Sequence, residues 1–199
     1  MSFVKTLLSA ALLTVSAVSF AQDDIYLGEP GYGGTGCPQG SASVTLSPDS
    51  KSMSIIFDSF ITEAGPASGR TLDRKSCNIS IPVNVPQGYS FSIINVDYRG
   101  FVSLPRGANA KLQAEYFIAN QRGPTFVKQF VGQQNTDYYF NNTLGLQAQV
   151  WSACGADVNM RVNANIMLQN RAYEDAMATV DTVDVGAGII YQMQWRRCQ

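Results

Sequence analysis

The most reactive side chains here are four cysteines, Cys37, Cys77, Cys154 and Cys198, and the chain has no histidine to accompany them. Redox chemistry would call for a Cys-x-x-Cys pair, and a mixed zinc site would call for histidine ligands. The sequence supplies neither, so no metal and no cofactor is expected. An even number of cysteines in an exported chain reads instead as two structural disulfides. Four cysteines allow three pairings. Trp151-Ser-Ala-Cys154 and Trp195-Arg-Arg-Cys198 repeat one local context, which suggests neighbouring strand ends. The preferred pairs are therefore Cys37 with Cys77 and Cys154 with Cys198. Both tryptophans are expected to pack in the core beside the second disulfide.

Other catalytic chemistries are poorly served. A serine nucleophile needs a base beside it, and without histidine the usual triad is impossible. The glycine-rich stretch Gly28–Gly36 ends in Cys37-Pro38 rather than Gly-Lys-Ser/Thr, so it is no phosphate loop. It reads as a loop tied down by Cys37. No catalytic residues are assigned, and the chain is read as non-enzymatic. The alternative is an enzyme acting on polysaccharide through paired carboxylates, which needs no histidine. Asp58, Asp97, Glu115, Asp137 and Asp157 are scattered along the chain, and solubility accounts for them. Glu174, Asp175, Asp181 and Asp184 form an acidic stretch that matches no calcium loop and reads as a solvated connection.

The run Asp137-Tyr138-Tyr139-Phe140-Asn141-Asn142 is the best functional lead. In a strand, Tyr139 must face away from Tyr138 and Phe140. One face of the segment therefore presents a ring even when the other is buried. Exposed tyrosine beside amide side chains suits sugar recognition, with the ring stacking and the amides hydrogen-bonding. Tyr138, Tyr139, Asn141 and Asn142 are the candidate contact set for a glycan or cell-surface component. A third reading is an adhesin-like or matrix protein that takes a partner along a sheet edge. Asn78-Ile-Ser80 and Asn141-Asn-Thr143 are glycosylation sequons if the source is a eukaryote.

The elements that must position these residues are strands. Lys5, the apolar stretch Leu7 to Val18 and Ser19-Phe20-Ala21 read as a signal peptide, residues 1–21, cleaved after Ala21. The remainder, residues 22–199, is expected to be a single exported β-sandwich domain with no transmembrane segment. It carries 13 basic residues, all but Lys5 of the chain's 14, against 15 acidic ones. That balance gives no reason to expect nucleic-acid binding. Localisation is expected to be extracellular, or periplasmic in a Gram-negative source.

Apolar and polar residues alternate along Val158–Leu168, Cys77–Val85, Ile189–Trp195 and Leu112–Ile118, as in half-buried antiparallel strands. Further strands are expected at Ala42–Leu46, Met53–Phe60, Tyr89–Tyr98, Thr125–Val131, Tyr138–Asn141 and Leu146–Trp151. Turn signals punctuate them, among them Pro48-Asp49-Ser50, Pro86-Gln87-Gly88, Arg99-Gly100 and Pro105-Arg106-Gly107. Tyr173, Ala176, Met177 and Val180 carry the one helical spacing. The fold class is all-β: an antiparallel sandwich stapled by disulfides, with at most one short helix.

The order of several motifs adds to this reading. Gly34-Thr-Gly-Cys37-Pro38-Gln-Gly40-Ser41 is followed by Ser47-Pro-Asp49, Arg74-Lys75-Ser76-Cys77, Pro86-Gln-Gly88 and Tyr98-Arg99-Gly100. Trp151-Ser-Ala-Cys154-Gly155 and Trp195-Arg-Arg-Cys198 complete the set. In this order the chain resembles the secreted domain-of-unknown-function family numbered 4360, found in bacteria and fungi. The resemblance covers nearly all of the exported chain. It implies a small disulfide-bonded exported domain and carries no catalytic residues with it.

Overall fold

A computed structural model describes residues 25–181 and 188–198. The signal segment, Asp184, and Ala187 of an expected Ala187-Gly188 turn lie outside the described residues. The strands in chain order are β1 (Gly31–Gly33), β2 (Ala42–Leu46), β3 (Ser52–Phe57), β4 (Ile61–Ala64), β5 (Leu72–Val83), β6 (Tyr89–Leu104) and β7 (Asn109–Ile118). They continue with β8 (Gln121–Arg122), β9 (Phe126–Val131), β10 (Gln134–Thr143), β11 (Val158–Gln169), β12 (Ala176–Thr179) and β13 (Ile189–Arg197).

Two antiparallel sheets face each other across one apolar core. Sheet I runs β1-β5-β11-β7, with β8 and β9 both paired to β7. Sheet II runs β2-β3-β13-β6, with β12 and β4 continuing it at the far end of β6. On its other edge β6 pairs with β10 from Asn95 to Leu104. The all-β sandwich expected from the alternating pattern is what the chain forms. β11 shows why: Val158, Met160, Val162, Ala164, Ile166 and Leu168 all point into the core, and the residues between them point out. Each larger side chain of that row contributes roughly 1.5–3 kcal/mol on burial.

Cys37 is bonded to Cys77 and Cys154 to Cys198, across sequence separations of 40 and 44. Closing loops of that size is worth roughly 4 kcal/mol each in the chain-entropy account. The first bond anchors the loop after β1 onto β5. The second ties the end of β13 to the segment before β11.

Several local expectations are corrected. The helical spacing around Tyr173–Val180 is occupied by strand β12, in which Ala176 and Ala178 are buried and Met177 is half-buried. Short side chains let this strand fit between β4 and β6, and that ladder outweighs a weak helical pattern. Leu146–Trp151 is not a strand: Leu146–Ala148 form one 3-10 turn, and Trp151 makes a single bridge to Ser92. Met53–Phe60 ends at Phe57, and β4 begins anew at Ile61.

The largest correction concerns Arg99-Gly100, which is no turn. Strand β6 runs straight through it for 16 residues. The glycine is there for close approach rather than for a bend. A Cβ on Gly100 would sit 2.3 Å from the Tyr138 hydroxyl and 2.3 Å from the Thr179 carbonyl. Tyr138 from β10 lies over this gap and donates its hydroxyl to that carbonyl at 2.7 Å.

Aromatic rings close the side of the sandwich where β9 and β10 face each other. Phe130 meets Tyr138 at 4.8 Å between ring centres, and Phe126 stacks on Tyr98 at 4.0 Å. Trp195 and Trp151 are half-buried rather than core residues. Trp195 packs on Phe91 and donates to the Ser50 carbonyl, while Trp151 carries the Arg196 guanidinium 3.8 Å above its ring.

Gly100→Ala is expected to destabilise the fold by about 2–4 kcal/mol, since it overpacks the seam and displaces the Tyr138 hydrogen bond. Chemical denaturation checks this, and a loss under about 1 kcal/mol would contradict the close-approach role. Alkali provides a second check. Burial raises the hydroxyls of Tyr98, Tyr138 and Tyr191 well above their ordinary 10.0, and that of Tyr116 to about 12. Above pH 10 the unfolded chain releases these protons while the folded chain keeps them. Stability is therefore complete below that pH and is lost as pH rises through the folded-state values. Ultraviolet titration should show these four phenolates forming only together with loss of the strand signal in circular dichroism.

Candidate functional site

The outer face of sheet II collects the polar residues singled out above. A register shift between Gln192 and Met193 on β13 places Ile94 of β6 in a bulge. Beyond the bulge the alternation is reset: Val96, Tyr98, Val102 and Leu104 point inward, and Asn95, Asp97, Arg99, Phe101 and Ser103 point outward. β10 lies alongside with Thr143 opposite Asn95, Asn141 opposite Asp97, Tyr139 opposite Arg99 and Asp137 opposite Phe101. Cross-strand partners share a face, so these eight side chains form one surface.

Asp97 is the hub of that surface. It is only 6% exposed, and its Oδ1 accepts three hydrogen bonds. Asn141 Nδ2 donates at 2.7 Å, the Tyr139 hydroxyl at 3.0 Å and Asn95 Nδ2 at 3.1 Å. The Thr143 hydroxyl lies 3.1 Å from both Asn95 Oδ1 and Asn141 Oδ1 and closes the network. A carboxylate this buried is tolerable because the donors replace its water. The result is a set of amide and hydroxyl groups held in fixed positions, with the Tyr139 ring 55% exposed above them.

Of the four residues proposed from sequence, Tyr139 and Asn141 stand on this face. Tyr138 and Asn142 do not, because the strand period turns them to the opposite side. Tyr138 is 6% exposed, its hydroxyl is committed to Thr179, and no ligand can reach it without opening the seam. Sequence reading missed Asn95 and Arg99 altogether. The available signal was the Asn95-Val-Asp97-Tyr-Arg99 alternation, which the supposed Arg99-Gly100 turn concealed.

Beyond Arg99 the same face opens into a cleft of about 430 Å³, within the range of small-ligand sites. Phe101, Ser103, Met177, Glu63, Ser68 and Asp175 are among the residues that line it. Asp175 Oδ1 accepts the Ala67 N–H and so holds the loop that forms one wall. Other acids from the sequence serve the scaffold. Asp157 accepts from Asn84 and Val85, Glu115 pairs with Arg122, and Asp181 accepts the Phe57 N–H. Among the described residues no three acids or cysteines gather as metal ligands, and no helix is long and apolar enough to cross a membrane.

An uncharacterised secreted protein of the fungus Arthroderma benhamiae is 30% identical over 178 residues, which cover 88% of this chain and 73% of that protein. The protein is secreted, and no enzymatic family is indicated for it. The family model described as "Domain of unknown function (DUF4360)" matches residues 23–198, a span that includes both disulfides and every strand of the two sheets. The chain therefore belongs to the DUF4360 family of secreted domains.

Proposed function

We propose that this domain is a non-catalytic binding module for a glycan or another cell-envelope component, held on the outer face of sheet II. One observation carries the reading: Tyr139 is exposed on one side while its hydroxyl is fixed to Asp97, inside a network that also fixes Asn95, Asn141 and Thr143. Ordered rings and amides lose little freedom when a ligand binds, which is what a shallow sugar site requires. The second oxygen of Asp97 has no protein donor among the described residues and can accept a ligand hydroxyl. Asp137, the next acid on this face of β10, sits opposite Phe101, four residues from Asp97. That is about 13 Å along the strand, farther than the carboxyl separation used in glycoside hydrolysis.

A second reading rests on the cleft, where Glu63 and Asp175 line one space. They are the pair that a carboxylate-based hydrolase would use. Glu63 is exposed on the short strand β4, and Asp175 is occupied by the Ala67 N–H, so neither is held as a buried acid.

The secreted protein is expected to bind immobilised polysaccharides on a panel of neutral and acidic glycans. Tyr139→Ala is expected to weaken binding at least tenfold while the domain still folds, shown by a retained strand signal in circular dichroism and one cooperative melting transition below that of the unaltered protein. Unchanged affinity in that variant removes this face from consideration. For the second reading, release of reducing ends from the same panel that disappears in Glu63→Gln would establish hydrolysis. No release by the unaltered protein rejects it.

A further inference from the structure

Arg99 is the unexplained residue on this face. Its Nε is buried and has no hydrogen-bond partner. The described residues contain two ion pairs, Arg70 with Asp73 and Arg122 with Glu115, and Arg99 takes part in neither. What it does contact is a ring: its guanidinium carbon lies 5.3 Å from the centre of Tyr139, its cross-strand partner. Asp97 stands two residues away on the same side of β6 and would be the natural counter-ion. It turns its carboxylate instead to Asn95, Asn141 and Tyr139.

A buried donor without an acceptor is costly and uncommon in folded proteins, and each case asks for a missing partner. Tyr139 lies against the guanidinium carbon, and among the described residues the outer Nη1–Nη2 edge enters no ion pair. That edge matches the two oxygens of a carboxylate. Beside it, the unused oxygen of Asp97 and the amides of Asn95 and Asn141 match hydroxyl groups. A second arginine, Arg196, lies on the same face at the other end of β6, opposite Ser90 and stacked over Trp151 at 3.8 Å. It too lacks an ion pair among the described residues.

Resting on the glycan reading above, the geometry points to a uronic-acid glycan as the ligand. Arg99 takes the sugar carboxylate, Tyr139 stacks on the ring, and Asp97 with its amide partners takes the hydroxyls. A single sugar ring carrying both a carboxylate and hydroxyls satisfies both halves of the site. A neutral sugar leaves Arg99 without its acceptor.

Calorimetric titration of the secreted protein with galacturonate, glucuronate and mannuronate oligomers tests this, each compared with its methyl ester. The ester keeps the ring and removes the charge. At least one acid form is expected to bind tenfold or more tighter than its ester, with affinity falling as salt rises. Arg99→Gln is expected to abolish that difference while the melting temperature stays the same or increases, because the variant removes an unpaired donor. Equal affinity for acid and ester overturns the assignment, as does a difference that survives in Arg99→Gln. Preference for sulfate-ester glycans over uronates overturns the carboxylate half. Neutral glycans bound through Tyr139 with no uronate preference sink this inference and leave the glycan reading standing. Failure of every glycan to bind sinks both.

Discussion

Gly100 has no side chain, and the middle of sheet II depends on that. It sits in the longest strand, between β10 on one edge and the β12–β13 side on the other. The empty space above it admits the Tyr138 ring, and the Thr179 carbonyl accepts the tyrosine hydroxyl there. This one close approach seats β10 against β6 in a single register. With the register set, Tyr139 falls opposite Arg99 and Asn141 opposite Asp97. The buried side of the seam and the polar network on the outer face are thus two consequences of one ladder.

That ladder also explains how an aspartate survives nearly enclosed in protein. Sheet geometry brings donors from two strands to one oxygen without any loop having to fold over it. Asn95 comes from the same strand, and Tyr139 and Asn141 come from the neighbour. A surface built on two paired strands is held by the ladder beneath it, which suits the binding role proposed above. Arg99 breaks the pattern of satisfaction on this face. Among the described residues the scaffold provides three donors for Asp97 and leaves the buried Arg99 Nε without an acceptor.

Much of the fold was legible because sandwich strands alternate. Val158–Leu168 shows it most clearly: its period of two requires one buried face, and that requirement does not depend on what lies across the core. Where a local signal and the ladder disagreed, the ladder prevailed. Arg99-Gly100 reads as a turn to anyone who sees only that glycine favours turns. Its use for close packing is visible only once Tyr138 is placed over it. Residues 173–180 read as a weak helix until two neighbouring strands offer hydrogen bonds to four of them.

The sequence by itself determined the export signal reading, the all-β character, the absence of histidine chemistry and the opposite orientation of Tyr139 and Tyr138. Each of these follows from residue types or from the two-residue period, which are local properties. Only the tertiary structure decided which strand lies beside β10, and with it the company that Tyr139 keeps. Asn95, Asp97 and Arg99 stand some 40 positions upstream of Tyr139 and Asn141 in the chain. They meet through the β10–β6 pairing, which accommodates Tyr138 over Gly100, while the bulge at Ile94 in the β13–β6 ladder sets which β6 residues face outward, and neither feature announces itself in the order of the residues.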